Sequence, residues 1–174
     1  MTSPNDLPPV PQRVKSARLS IRPSTRADSA ALKKWWNDPT VIDGNDAGMQ
    51  YDDDDMEDWF QRYVDGRDHA AHFVICLQET PIGEFYIASD DRPGCVGVAL
   101  IIGEKEHWGQ GYAAEAMRAY AEALFASGHC EVIRLDTRRD NERTIQMCEQ
   151  AGFEVEHVWA NGLFQTMILT TSVS

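Results

Sequence analysis

The stretch Ile101-Ile102-Gly103-Glu104-Lys105-Glu106-His107-Trp108-Gly109-Gln110-Gly111-Tyr112-Ala113-Ala114-Glu115 decides how the rest of the chain is read. It runs from an apolar strand end through a short polar bend to a glycine pair that opens a helix. Gly109 and Gly111 carry no Cβ, so the backbone approaches a ligand closely there and enters left-handed conformations without strain. The first N–H groups of the following helix have no partner within it, and the helix dipole adds positive character at that end. An anion is what such a turn accepts, and the expected one is a phosphate.

Downstream, the helix spans Gln110 to Ser127, with Ala114, Met117, Ala121, Leu124 and Phe125 on a core face and Gly128 as its stop. A strand Val132 to Thr137, a helix Asn141 to Gln150 and two closing strands follow. Upstream, Val96 to Ile102 reads as a largely buried strand. His72 to Gln78 and Ile82 to Ser89, joined by a turn at Glu79 to Pro81, complete an antiparallel meander with it. Leu19 to Arg22 alternates as an edge strand, and Thr25-Arg26-Ala27-Asp28 has capping-box spacing for a helix reaching about Asn37. A second helix, Asp52 to Asp65, is marked by Met56, Trp59, Phe60 and Tyr63 and capped by Gly66. Its first-turn carboxylates, Asp52 to Asp55, answer the helix dipole or form an acidic rim. Between the two helices, Pro39 to Tyr51 is a loop with turn signals at Asp43-Gly44-Asn45-Asp46. The alternation of strands and helices is mixed α/β. Residues 1–14, with Pro4, Pro8, Pro9 and Pro11, read as a flexible leader to one domain over 15–174.

Composition narrows the function. The 174 residues carry 16 basic and 28 acidic side chains, a net charge of -12, which is the wrong sign for a chain that neutralises nucleic-acid phosphates. An acidic surface instead raises the local concentration of a cationic substrate such as an amine. The four cysteines, Cys76, Cys95, Cys130 and Cys148, stand singly, which suggests reduced thiols and a cytoplasmic setting. No apolar run approaches the roughly 18 residues of a membrane span, and the polar N-terminus has no signal-peptide core. His69, His72, His107, His129 and His157 show no metal spacing, so no metal is assigned.

Gly109-x-Gly111-x-x-Ala114 also fits a dinucleotide fingerprint, with Asp136 as a ribose acid. Against this, Gly103 to Trp108 separate the strand from the first glycine, and little chain remains for the rest of a parallel sheet. Trp108-Gly109-Gln110-Gly111-Tyr112-Ala113 resembles the Q/R-x-x-G-x-G/A pyrophosphate loop of the GNAT N-acetyltransferases. From Gly103 onward the segment is similar to the branch that acetylates ribosomal-protein N-termini, in which a tryptophan at the position of Trp108 is common. Asn141 to Phe153 resembles that family's second segment, N-x-x-[AS]-x-x-x-Y-x-x-x-G-F, although Asn141 and Gly152 are also ordinary helix caps.

The resemblance implies a seven-stranded, mostly antiparallel mixed sheet with about four helices, splayed between Val96 to Ile102 and Val132 to Thr137. Acetyl-CoA is then the cosubstrate, without a metal. Pantetheine would pair with the backbone of Ile101 and Ile102, and Trp108, Gly109, Gln110, Gly111, Tyr112, Ala113 and Ala114 would hold the pyrophosphate. Asn141 and Thr144 would line the thioester end. The reaction is direct acetyl transfer to a primary amine in a ternary complex, the acceptor being a protein N-terminus, an aminoglycoside or another small amine. A homodimer stays open, as does a non-catalytic acyl-CoA sensor.

A general base matters most for an alkyl amine, whose pKa of about 10.4 makes the neutral form cost about 4 to 5 kcal/mol at neutrality. The glutamate that many relatives carry aligns with Gly97 and is missing. Asp136 is the first candidate base, with a surface ion pair to Arg134, Arg138 or Arg139 as the alternative, and Glu84 is the second if it points into the cleft. The tyrosine that commonly protonates the departing thiolate is replaced by Cys148, which either serves as the acid or is plain core, with Thr144 or solvent in its stead. Trp35, Trp36 and Trp59 are simplest as core beside the acceptor site.

Overall fold

A computed structural model describes residues 7–42, 49–65 and 69–171; Gly66 and the turn signals at Asp43 to Asp46 lie outside them. The fold is the mixed α/β arrangement that the sequence implies: one eight-stranded sheet in the order β1-β2-β3-β4-β5-β6-β8-β7. The strands are β1 (Val14–Lys15), β2 (Leu19–Pro23), β3 (Ala70–Leu77), β4 (Thr80–Ser89), β5 (Cys95–Ile102), β6 (Val132–Arg138), β7 (Glu154–Trp159) and β8 (Phe164–Thr170). The α-helices among the described residues are α1 (Ser29–Trp36), α2 (Pro39–Ile42), α3 (Asp53–Trp59), α4 (Tyr112–Ala126) and α5 (Glu142–Ala151). The strand beyond the expected seven is the two-residue β1, which pairs with β2.

Alternation along the strands sends side chains to two cores. On one face, Phe73, Ile75, Phe85, Ile87, Val98 and Leu100 pack under α4 and α5 with Met117, Tyr120 and Leu124. On the other, Val74 and Cys76 pack with Leu32, Trp35, Met56 and Phe60 of the first helices. The spacing read for the second helix holds in burial, although the helix relaxes into a π-turn over Phe60–Asp65. Asp52 caps α3 by accepting from the Asp55 N–H at 2.9 Å, so these carboxylates serve the helix start.

Residues 7–14, read as part of a flexible leader, lie against the first core. Leu7 and Val10 pack on it and Val14 is buried. The Tyr120 hydroxyl donates to the Pro11 carbonyl at 2.7 Å. Proline removes backbone donors, so this segment is held by side-chain packing more than by a ladder.

Gly103 ends β5 beneath α1. A Cβ there would lie 2.2 Å from the Trp35 ring, whose Nε1–H donates to Glu104 at 2.9 Å and whose side chain is fully buried. Gly103→Ala is therefore expected to overpack this junction and destabilise the protein by about 1 to 3 kcal/mol. Urea unfolding midpoints of the two proteins check it.

Candidate functional site

Gly109 and Gly111 adopt φ of +72° and +79°, conformations that only glycine enters freely, and Gly111 caps α4. The first bond within α4 is Glu115 N–H to the Gly111 carbonyl at 3.0 Å. The amides of Tyr112, Ala113 and Ala114 thus come before the helix ladder begins. A Cβ on Gly109 would meet nothing within 4 Å, so the turn is open on its outer side. Arg18 braces it from the start of β2: its Nη1–H donates to the Gln110 carbonyl at 3.2 Å, its guanidinium lies 4.3 Å from the Tyr112 ring centroid, and it pairs with Glu115 at 2.6 Å. Free amides, a helix start and an arginine suit a pyrophosphate.

The turn opens into a cavity of about 590 Å³. The cavity exists because β5 and β6, the parallel pair joined by α4, are paired only at Cys95, Val96 and Gly97 with Val132, Ile133 and Arg134. Beyond Gly97 the two strands diverge, and the wedge is lined by Ala99, Leu100, Ile101 and Ile102 on one side and by Leu135, Asp136 and Thr137 on the other. Trp108 donates its Nε1–H to the Ile102 carbonyl at 2.7 Å and carries the Arg143 guanidinium 4.0 Å over its ring. Its indole thus braces the strand end and turns its donor away from the phosphate turn. Arg143 also donates to the Thr40 carbonyl at 3.0 Å, joining α5 to α2 across the cavity mouth. Asn141 and Thr144 line the cavity, and Asn141 is at once the cap of α5, accepting the Thr144 N–H at 3.1 Å.

On the sheet face under α1 and α3, the register sets Glu84 opposite Ile101 and Tyr86 opposite both Ala99 and His72. Glu84 and Tyr86 line the same cavity as the glycine turn. Glu84 accepts from Trp36 Nε1–H at 3.0 Å and contacts His72 Nε2 at 2.8 Å, while His72 Nδ1 lies 2.6 Å from Ser24 Oγ. Trp36, which donates to this carboxylate, packs edge to face on Tyr51 and, 4.9 Å away, on Trp59; Trp59 in turn meets Tyr63, and His72 meets Tyr86. Burial pushes the Tyr86 phenol above its ordinary pKa.

Asp136 also lines the cavity, with both oxygens engaged: Arg134 Nη2–H donates at 2.8 Å and the buried Thr166 hydroxyl at 2.5 Å. The alternative of an ion pair with Arg134 is thus what the geometry contains, within the wedge. Cys148 is fully buried in the core under α5 and is not among the side chains lining the cavity; burial pushes its thiol up to about 12. The core reading fits Cys148, because the apolar face of α5 turns it toward the sheet. We expect Cys148→Ala to retain kcat while lowering the melting temperature, since it removes a small buried group without touching the cavity. Paired melting curves and initial rates check this.

Residues that the sequence reading missed are Arg18, His72 and Tyr86. Arg18 lies 97 positions from Glu115, a separation that no local pattern bridges. His72 and Glu84 were within reach: a short turn between their strands folds position 74 onto position 84, so 72 and 84 share a face. Among the described residues no group of His, Cys, Asp and Glu is arranged to hold a metal, and no helix is long and apolar enough to cross a membrane.

Residues 18–154 match the family described as Acetyltransferase (GNAT) domain. An uncharacterized N-acetyltransferase p20 of Bacillus licheniformis is 26% identical over 144 residues, 80% of each chain. Among solved structures, the aminoglycoside acetyltransferase AAC(6')-Ib in complex with coenzyme A and kanamycin shares the fold with a TM-score of 0.74. It is 21% identical, over 88% of this chain and 95% of that one. RimJ of Mycobacterium smegmatis in complex with CoA-disulfide has a TM-score of 0.75 and 16% identity, over 92% of this chain and 88% of that one.

Proposed function

Because the chain belongs to the GNAT acetyltransferase family and is an acetyl-CoA-dependent N-acetyltransferase, we propose that its acceptor is a cationic primary amine, acetylated directly in a ternary complex. The observation that carries this reading is that the glycine turn, Glu84 and Tyr86 line one cavity. An alkylammonium is attracted to a carboxylate and to the faces of tryptophan and tyrosine, and the net charge of -12 adds long-range attraction. The kanamycin seated in AAC(6')-Ib supports a polycationic amine as the acceptor class.

In this reading the amides of Gly109 to Ala113 hold the pyrophosphate, and the backbone of Ile101 and Ile102 flanks the pantetheine as an added strand would. Glu84 takes a proton from the acceptor ammonium, leaving a lone pair to attack the thioester carbonyl. A backbone N–H near Ile101 steadies the oxyanion. Collapse of the tetrahedral adduct expels the CoA thiolate, which takes a proton from Tyr86 or from solvent in the wedge, while the nitrogen gives up its extra proton to the phenolate so formed or to solvent. Glu84 is preferred to Asp136 because its partners, Trp36 and His72, are not permanently charged, whereas Asp136 is held by the Arg134 guanidinium. Asp136 then shapes the acceptor end of the wedge. The four buried free thiols accord with a cytoplasmic setting.

Initial rates with acetyl-CoA and a diamine varied together test direct transfer. Intersecting double-reciprocal lines are expected, and parallel lines would point to an acetylated enzyme instead.

A further inference from the structure

The geometry points to His72 as a positioning residue for the acetyl transfer, holding Glu84 toward the acceptor through its Nε2–H while Ser24 fixes its tautomer. The inference rests on Glu84 being the base. His72 is buried on β3, with Trp59 packed edge-on 4.6 Å away and Trp36 at 6.2 Å. The two indoles, themselves 4.9 Å apart, crowd one side of the imidazole. Its Nε2 lies 2.8 Å from a Glu84 oxygen. An ionised carboxylate only accepts, so the proton of a neutral ring sits on Nε2. Nδ1 is then an acceptor, and Ser24 Oγ, buried and 2.6 Å away, is the hydroxyl that donates to it.

Ser24 is itself fixed, because its N–H donates to the His72 carbonyl at 3.0 Å. The end of β2 and the start of β3 thus grip one imidazole at its backbone and its side chain. Trp36 Nε1–H completes the hold on Glu84, reaching both carboxylate oxygens at 3.0 Å. The Glu84 side chain remains 16% exposed, against 3% for His72, so one member of the chain meets the cavity while the other is sealed behind it. His72 is not among the residues lining the cavity that Glu84 shares with the glycine turn, so its effect on a substrate there passes through Glu84.

Two amide substitutions separate the atoms of the ring. Glutamine carries its amide at the bond distance of Nε2 and keeps a donor for Glu84. Asparagine carries its amide at the distance of Nδ1 and keeps only the partner of Ser24. With acetyl-CoA and a diamine as substrates, His72→Asn is expected to lower kcat by about 10- to 100-fold, the weight of one hydrogen bond to a charged group. His72→Gln is expected to recover most of the rate, with the KM for acetyl-CoA unchanged in both. A purely structural histidine would favour asparagine or treat the two alike, so a His72→Gln enzyme no faster than His72→Asn overturns the inference. Ser24→Ala, a milder change for the fold, is expected to lower kcat by about threefold at unchanged acetyl-CoA KM. Full activity in that variant would remove Ser24 from the arrangement. Glu84→Gln assayed alongside distinguishes the failures: if it retains the full rate, the base assignment beneath the inference falls, whereas a slow Glu84→Gln beside equal His72 variants overturns only the role of His72.

Discussion

Glu84→Gln is expected to lower kcat/KM by about 10²- to 10⁴-fold near neutral pH, the usual contribution of a general base. Glutamine preserves the shape of the side chain and an oxygen able to accept from Trp36 or His72, so the loss reports the missing proton acceptor more than a rearranged pocket. The sign with pH follows from the acceptor. An alkyl amine with a pKa of about 10.4 is almost wholly protonated at pH 7, and the fraction already neutral rises tenfold per unit. The deficit of Glu84→Gln should therefore shrink as pH rises toward 10. A loss of the same size at every pH would show that Glu84 holds substrate without accepting its proton. Asp136→Asn in the same assay is expected to cost less than Glu84→Gln. The reverse order would return the base to Asp136.

Gly111→Val is expected to weaken acetyl-CoA binding by at least about 100-fold while leaving the sheet folded. Gly111 sits at φ +79°, where a β-branched side chain is strained. A Cβ there would lie 3.7 Å from the Arg18 guanidinium, and the branches of valine extend further toward it. The strain is relieved most readily by turning the first residues of α4, which misaims the amides of Tyr112 and Ala113. Two misdirected hydrogen bonds to a charged phosphate, each worth about 1.5 to 3 kcal/mol, account for a loss of that size. Calorimetric titration with acetyl-CoA, alongside a circular dichroism spectrum, gives the answer. Unchanged affinity in a folded variant would remove the turn from cofactor binding.

Local chemistry carried most of the fold into the sequence. The glycine turn is legible because free amides and a left-handed backbone require particular residues in a row, and α5 because Asn141 and Gly152 terminate it as caps. The spacing of Met56 and Phe60 marks a buried helical face whatever it packs on. Pro8, Pro9 and Pro11 misled in the leader, because prolines say that a segment cannot join a ladder and nothing about whether its apolar side chains find a core. Cys148 was placed correctly on α5, while its depth depended on the packing of a sheet not readable from one helix. The site divides in the same way. Its cofactor half is contiguous in sequence, and its acceptor half is assembled from β2, β3, β4, α1 and α3, where only strand register brings Ser24, His72 and Glu84 together.

Free CoA thiol, followed by a thiol reagent, tests acetyl transfer to a cationic amine most directly. The purified chain is mixed with acetyl-CoA alone, with acetyl-CoA and spermidine, kanamycin or an N-terminal peptide, and with acetyl-CoA and a neutral polyol of similar size. The account predicts sustained thiol release with at least one cationic primary amine, an acetylated amine of matching yield by mass spectrometry, and only background release with the polyol or with acetyl-CoA alone. Tight acetyl-CoA binding with background release for every amine would contradict it and identify an acyl-CoA sensor.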